Sequence, residues 1–453
     1  MIASGKIVFL LTFFAYLAQC LVFFNDRPDE LLVIPLVLIL AGVGAYALGR
    51  NPVDPDAELQ LNLFFWAFSL RLWLGIFFYG WDLTALFGDE DASGYMSGWG
   101  VAENWYRNGF EGFASDLTRV FFDQQNLGQS IIWGIPMFIA GGPSRMIVSV
   151  INSFAGSLLV IVIFRMARRV FGSETARIAG ILVTFWASFI LLSAGTSKEM
   201  LVIFFEWVIL YLLIRNPKGL TVTDGMFAFP AFLAVFMMRF YAVYLMAAAF
   251  LFRTIVAQKK NLLRNALFGS AVVISIMIFL SAGGAISRDF SRLERQNQVI
   301  DTWRVNMARE TGTGVEIYAE YQSTSVAIPV ATVYFFLAPF PWEMFSGSGR
   351  NGFGAAENIF IFAIIILGFP ALKIFFSDKF YEMAPIFVFC VLYAGLHIWG
   401  LANVGLAWRH KQTIMPLLFI LVAVSITQRK AGWAILRGRM KRKKKLSGLV
   451  HSQ

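Results

Sequence analysis

The stretch MFAFPAFLAVFMMRFYAVYLMAAAFLF, residues 226–252, carries a single charged group, Arg239. It is too long and too uniformly apolar for an ordinary strand, and it reads as helix embedded in a membrane. An arginine in hydrocarbon is costly, so Arg239 faces the protein interior or a wet cavity. The run is then either one long helix or two short ones broken at Arg239. The charges around it decide between these.

Arg253, Lys259, Lys260 and Arg264 follow the run, Arg165, Arg168 and Arg169 follow an earlier apolar segment, and a basic tail closes the chain. The positive-inside rule asks that all three clusters lie in the cytoplasm. One path satisfies them: Lys6 inside, 25–30 outside, Arg50 inside, and an exit near Trp81 that leaves 87–128 outside. The run 226–252 must then enter and leave on one side, as a hairpin with Arg239 at its outer apex. The same parity makes 131–140 a short re-entrant or interfacial segment, places 287–323 outside, and makes the proline-bearing stretch 326–345 re-entrant. Irregular backbone at membrane depth needs cover by protein or a wet cavity.

Further spans of about 17–25 residues are read at 7–24, 31–48, 61–79, 145–164, 176–194, 200–214, 266–282, 358–376, 384–402 and 413–426. The expected architecture is an all-α polytopic integral membrane protein with about a dozen crossings. A single membrane domain covers 1–428, with outer loops near 81–128 and 284–324 and a basic cytoplasmic tail at 429–453. Composition agrees, because 58% of the 453 residues are hydrophobic and 15% charged, against about 25% charged in soluble domains.

The net charge of +10 does not point to nucleic acid. Much of it sits in the tail, in Arg429, Lys430, Arg437, Arg439, Lys441, Arg442, Lys443, Lys444 and Lys445, with no folded basic domain beside it. Placed directly after an apolar helix, that tail suits anionic membrane lipids. Cys20 and Cys390 lie in apolar runs and read as core residues. With three histidines in the chain, a His-rich zinc site is not expected.

Five constellations carry chemistry. Asp89-Glu90-Asp91, with Tyr95 nearby and an amphipathic stretch at 95–106, packs three carboxylates together, an environment suited to a general base. The polar link 193–199 holds Lys198 beside Thr196 and Ser197, an anion site at a helix start, where Glu199 serves as a first-turn acid. Arg239 is the third. Arg409-His410-Lys411 places cations at the outer boundary against the usual charge asymmetry, as phosphate binding would require. Trp342 and Glu343, in the rigid segment Pro339-Phe340-Pro341-Trp342-Glu343, could line a sugar or lipid path or form an interfacial belt.

Asp89-Glu90-Asp91 with Tyr95, in the first large outer loop ahead of an interfacial stretch, resembles the aspartate-bearing loop of GT-C superfamily glycosyltransferases. Residues 409–416 are similar to the arginine-containing, proline-ended motif near the C-terminus of bacterial members. The resemblance implies an inverting transferase that uses a polyprenyl-phosphate-sugar donor, as the protein O-mannosyltransferases and lipid A aminoarabinose transferases do. It makes Asp89 or Asp91 the base, with Glu90 assisting, and Arg409 a ligand of the donor phosphate. Asp89 and Asp91 could also hold a divalent cation, Mg or Mn. Two helices precede the span leading into the acidic loop, and the long soluble C-terminal domain of some relatives is absent, so the acceptor is left open among glycan, lipid and protein.

The expected function is therefore glycosyl transfer on the external face of the inner or plasma membrane, in cell-surface glycan assembly, with both termini cytoplasmic. An O-antigen-type polymerase or ligase acting on polyprenyl-diphosphate-linked glycans is the alternative, using Arg288, Arg292, Arg295 and Arg304. A non-enzymatic flippase or transporter of lipid-linked glycans is the second, and it requires helices broken at mid-membrane depth.

Overall fold

The computed structural model describes residues 4–24, 27–50, 54–81, 83, 92–122, 128–216, 221–256, 324–344, 349–377, 379–401 and 403–430. The acidic run 89–91, the apolar segment 266–282, the loop 287–323 and the tail beyond 430 lie outside the described residues. Within the described residues the chain is helical, with no β-strand.

In chain order the helices are α1 (Gly5–Phe23), a single turn α2 (Pro28–Leu31), α3 (Val33–Gly49), α4 (Ala57–Gly80), α5 (Ala92–Phe122), α6 (Gly128–Ala140), α7 (Arg145–Phe171), α8 (Ser173–Phe185) and α9 (Ala187–Ala194). There follow α10 (Glu199–Arg215), α11 (Val222–Met238), α12 (Phe240–Val256), α13 (Thr324–Leu337), α14 (Gly349–Gly368), α15 (Ala371–Ser377), α16 (Phe380–Trp399), α17 (Val404–Lys411) and α18 (Met415–Lys430). By length and composition α1, α4, α7 and α16 can each cross a membrane, and the number rises to 7 if each bent pair described below is one span.

The interior is apolar, as in a soluble protein, but the outer surface is apolar too. Leu11, Val22, Ile39, Phe360 and Ile366 are exposed on the outer helices, while Arg71, Glu199, Glu206, Arg239, Glu357 and Lys411 are buried. Apolar side chains outside, with the few charges turned inward, are what a lipid solvent selects. The chain is a multi-pass membrane protein.

Two stretches read as continuous spans are broken, and a third bend precedes the last one. The segment 176–194 bends by 51° between α8 and α9 and 358–376 by 49° between α14 and α15, while α17 meets α18 at 55° just where the last span, read as 413–426, begins. Pro370 stands in the second break, where it has no N–H to continue the ladder. At the first, the backbone N–H of Ser188 donates to the buried Glu357 carboxylate at 2.7 Å, which satisfies a group the bend frees. At the third, Trp207 Nε1 donates to the Thr413 carbonyl at 2.9 Å and Trp186 Nε1 to Gln412 Oε1 at 3.0 Å. Tertiary partners, invisible to a hydropathy window, hold all but the proline break.

The run 226–252 divides at Arg239, whose φ of −153° and ψ of 70° leave the helix between α11 and α12. The stretch 131–140 lies in α6, whose 13 residues make only about 20 Å of helix, too short to span. It packs against α5, which turns a corner at Gly109 with φ 56°, a conformation open to glycine. Asp116 fastens the corner by accepting from Asn104 Nδ2 at 2.9 Å and Trp105 Nε1 at 3.0 Å.

The centre of the bundle is α7, against which α4, α8, α9 and α10 pack. Its entry is capped by Glu30, whose carboxylate accepts from Ser144 Oγ and from the N–H groups of Arg145 and Met146. At Gly156 of α7 both α9 and α4 approach closely: a Cβ there would come within 2.3 Å of Ser193 Oγ and 2.7 Å of Arg71 Nε. Arg71 is fully buried, donating to Ser193 Oγ at 3.1 Å and the Ala67 carbonyl at 2.9 Å. Gly156→Ala is accordingly expected to cost about 1–3 kcal/mol by overpacking, read as a lowered unfolding temperature in detergent; an unchanged midpoint would show that Arg71 can move aside.

At the opposite end of α7, Arg168 pairs with Asp54 at 2.5 Å and Asp56 at 3.5 Å. Asp54 precedes α4, and its hydrogen bond with Arg168 holds its carboxyl down at about 2. A depressed carboxylate pKa contributes stability that is complete above the unfolded value of about 3.9 and is lost as pH falls toward 2. Asp54→Asn is expected to flatten the pH dependence of unfolding between about pH 4 and 2 while leaving its neutral-pH slope alone. An unaltered acid limb would show the pair to be solvated.

Candidate functional site

Arg239 is the hub of a buried polar network. Removed from the helix by the α11–α12 break, its guanidinium forms an ion pair with Glu199 at the start of α10 and donates from Nη1 to Tyr393 Oη at 2.6 Å. Tyr393, on α16, shares a hydrogen bond of 3.0 Å with His410 Nδ1 on α17. One turn on, His397 Nδ1 contacts the Tyr393 carbonyl at 2.8 Å, and since a carbonyl only accepts, Nδ1 carries the proton. His397 Nε2 of the neutral ring then accepts from the Tyr241 hydroxyl at 3.1 Å. The imidazoles of His397 and His410 face each other with centroids 3.9 Å apart. Four helices are thus tied at one point, and every junction is a hydrogen bond or an ion pair.

Glu206 lies two turns along α10 from Glu199, with Oε1 3.9 Å from Arg239 Nη1. It is 0% exposed, and neither oxygen has a hydrogen-bond partner among the described residues. Lys198 and Arg409 are close enough for their charges to act on both Glu199 and His410. Three cations, from the 195–199 link, the Arg239 break and the 409–411 segment, therefore converge on one end of α10.

The sequence grouped Arg409, His410 and Lys411, but the fold sends them to different places. Arg409 is half-buried near the Glu199 end. His410 is buried against Tyr393. Lys411 is 1% exposed and donates to the carbonyls of Ala338 at 2.8 Å and Phe336 at 3.3 Å and to Asn358 Oδ1 at 2.6 Å. Those contacts engage all three ammonium protons. Asn358 in turn donates to the carbonyls of Leu337 and Pro339, and Glu357 lies near enough to act on the Lys411 charge. Lys411 therefore fastens the α13 end and the proline segment to α17.

That fastening positions Trp342. It is 76% exposed and stacks on Phe340 with centroids 4.7 Å apart and planes 5° from parallel, while Glu343 accepts from the Phe340 N–H at 2.6 Å. The result is a rigid, displayed aromatic pair. Tyr95, on α5, lies under the Arg145 guanidinium at 4.9 Å, away from these contacts. Asp89, Glu90 and Asp91 lie outside the described residues, and with them the ligands expected for a divalent cation. Among the described residues no group of three His, Cys, Asp or Glu side chains could hold a metal ion.

Glu206, Tyr241, Tyr393 and His397 were not singled out in the sequence. The signal was present for two of them, because a glutamate within 200–214 and a histidine within 384–402 are ionisable groups in apolar spans. Tyrosines in such runs carry no comparable mark. No family model, curated protein or solved structure matches the chain.

Proposed function

We propose that the chain is a membrane glycosyltransferase that takes a sugar from a polyprenyl-phosphate donor and passes it to an acceptor on the external face, in cell-surface polysaccharide or glycolipid assembly. The observation that carries the reading is the convergence of Lys198, Arg239 and Arg409 on one end of α10. Cations held by a rigid network are what a departing lipid phosphate needs for charge stabilisation. The exposed Phe340–Trp342 pair supplies an apolar face suited to a pyranose ring or an isoprenoid tail. Asp89 would deprotonate the acceptor hydroxyl, with Asp91 or Glu90 assisting. In this reading about a dozen spans cross the inner membrane, both termini are cytoplasmic, and the tail rests on anionic lipid.

The test compares purified wild type with Asp89→Asn, Asp91→Asn, Lys198→Gln and Arg409→Gln for transfer from polyprenyl-phosphate sugars to a panel of acceptors, with folding checked by thermal unfolding. Loss of transfer by about 100-fold or more in a folded aspartate variant, the scale of general-base catalysis, supports the reading. Unchanged transfer in all four overturns it. The broken spans α8–α9, α14–α15 and α17–α18 favour a second reading, a transporter of lipid-linked glycans. Lipid-linked glycan movement across vesicles without bond transfer would support that one.

A further inference from the structure

Glu199 and Glu206 lie seven residues apart, on one face of α10, and both reach the same arginine. Glu199 takes the close ion pair, and Arg239 spends Nη1 on Tyr393. One guanidinium neutralises one carboxylate, so a second buried carboxylate would leave an uncompensated negative charge at a site 0% exposed. Ionised carboxylates in such surroundings are strongly disfavoured unless paired. The other groups that face Glu206 do not supply a cation. Tyr241 of α12, Tyr393 and Cys390 of α16 and Thr413 of the α17–α18 break all sense its charge, and all are neutral or acidic. His397 and His410 face the same arginine, but Lys198 and Arg409 bear on Glu199 and His410.

We propose that Glu199 and Glu206 hold one proton between them, lodged on Glu206 while Arg239 engages Glu199, and that an anion drawing on Arg239 makes the pair take up a further proton. A proton suits the site better than a metal cation. It needs one acceptor rather than a shell of oxygens, and Arg239 at 3.9 Å repels a metal. Thr413, whose hydroxyl is buried without a hydrogen-bond partner among the described residues, is the near neutral group for the acid O–H. As an anion approaches the Lys198–Arg409 end, Arg239 turns toward it. Glu199 then loses its counter-charge and takes a proton from solvent, with no bond other than O–H formed. The anion half of this inference rests on the phosphate reading above; the proton half does not.

Two measurements on the full-length protein separate the halves. Infrared spectroscopy of the ligand-free protein at neutral pH should show a protonated-carboxyl C=O band that shifts in D2O, vanishes in the isosteric Glu206→Gln, and is lost in Glu199→Gln as well, because Arg239 is then free to neutralise Glu206. No such band, or one untouched by Glu206→Gln, overturns the proton placement. Calorimetry of polyprenyl phosphate binding in two buffers of different ionisation enthalpy should show proton uptake in wild type and none in the double variant Glu199→Gln with Glu206→Gln, which leaves no carboxylate for Arg239 to abandon. Binding without uptake overturns the linkage. Failure to bind overturns the phosphate reading and with it the linkage, while the infrared band still decides where the proton sits. If Glu206→Gln does not fold, Glu206→Asp serves, and its band should move in frequency rather than disappear.

Discussion

Arg239→Gln is expected to lower the stability of the detergent-solubilised protein by about 3–5 kcal/mol, the cost of stranding one member of a buried ion pair. Glu199 would lose its counter-charge and Tyr393 its donor, and the point where α10, α12, α16 and α17 are joined would loosen. The double variant Arg239→Gln with Glu199→Gln should recover part of the loss, since it removes the charge left alone. Thermal or denaturant unfolding reads both values. A single-variant loss under about 1 kcal/mol, the range of exposed pairs, would mean that water reaches the arginine and that the network is not closed.

Lys411→Met is expected to cost about 3 kcal/mol or more, because it strands the Ala338 and Phe336 carbonyls and Asn358 Oδ1 at about 1–3 kcal/mol for a buried acceptor left bare. Glu357, close enough to share its field, would add to the loss. The proline segment should loosen with it, so Trp342 fluorescence should become more accessible to an aqueous quencher. Arg409→Gln, two residues away and half-buried, should stay within about 1 kcal/mol of wild type. Equal losses at the two positions would show that the cations act as one group rather than in the separate roles their contacts describe. A stable Lys411→Met protein with unchanged quenching would free Lys411 for the ligand role its position in sequence suggested.

These two residues show where sequence reading succeeds and where it stops. Arg239 was legible because a lone charge in an apolar run has no inexpensive resting place in lipid, so its burial beside a partner follows from composition. The break there was legible too, since charge parity asked for two helices rather than one. Lys411 was read with its neighbours as one cationic cluster. Adjacent positions on a helix point about 100° apart, so Arg409, His410 and Lys411 were bound to face different surroundings, but which of them met solvent depended on what packed against α17.

The broken spans follow the same rule. The proline between α14 and α15 announces its break, whereas those between α8 and α9 and between α17 and α18 depend on Glu357, Trp186 and Trp207, residues far away in the chain. Glu206 carried a visible mark as a carboxylate in an apolar run, but its significance came from sharing Arg239 with Glu199.

The sequence by itself determined that this is a multi-pass helical membrane protein with interior charges, because the hydrophobic effect and the cost of burying charge act on local composition. Only the tertiary structure decided which charges meet, because ion pairing and capping join residues separated by tens to hundreds of positions, and no local pattern encodes that distance.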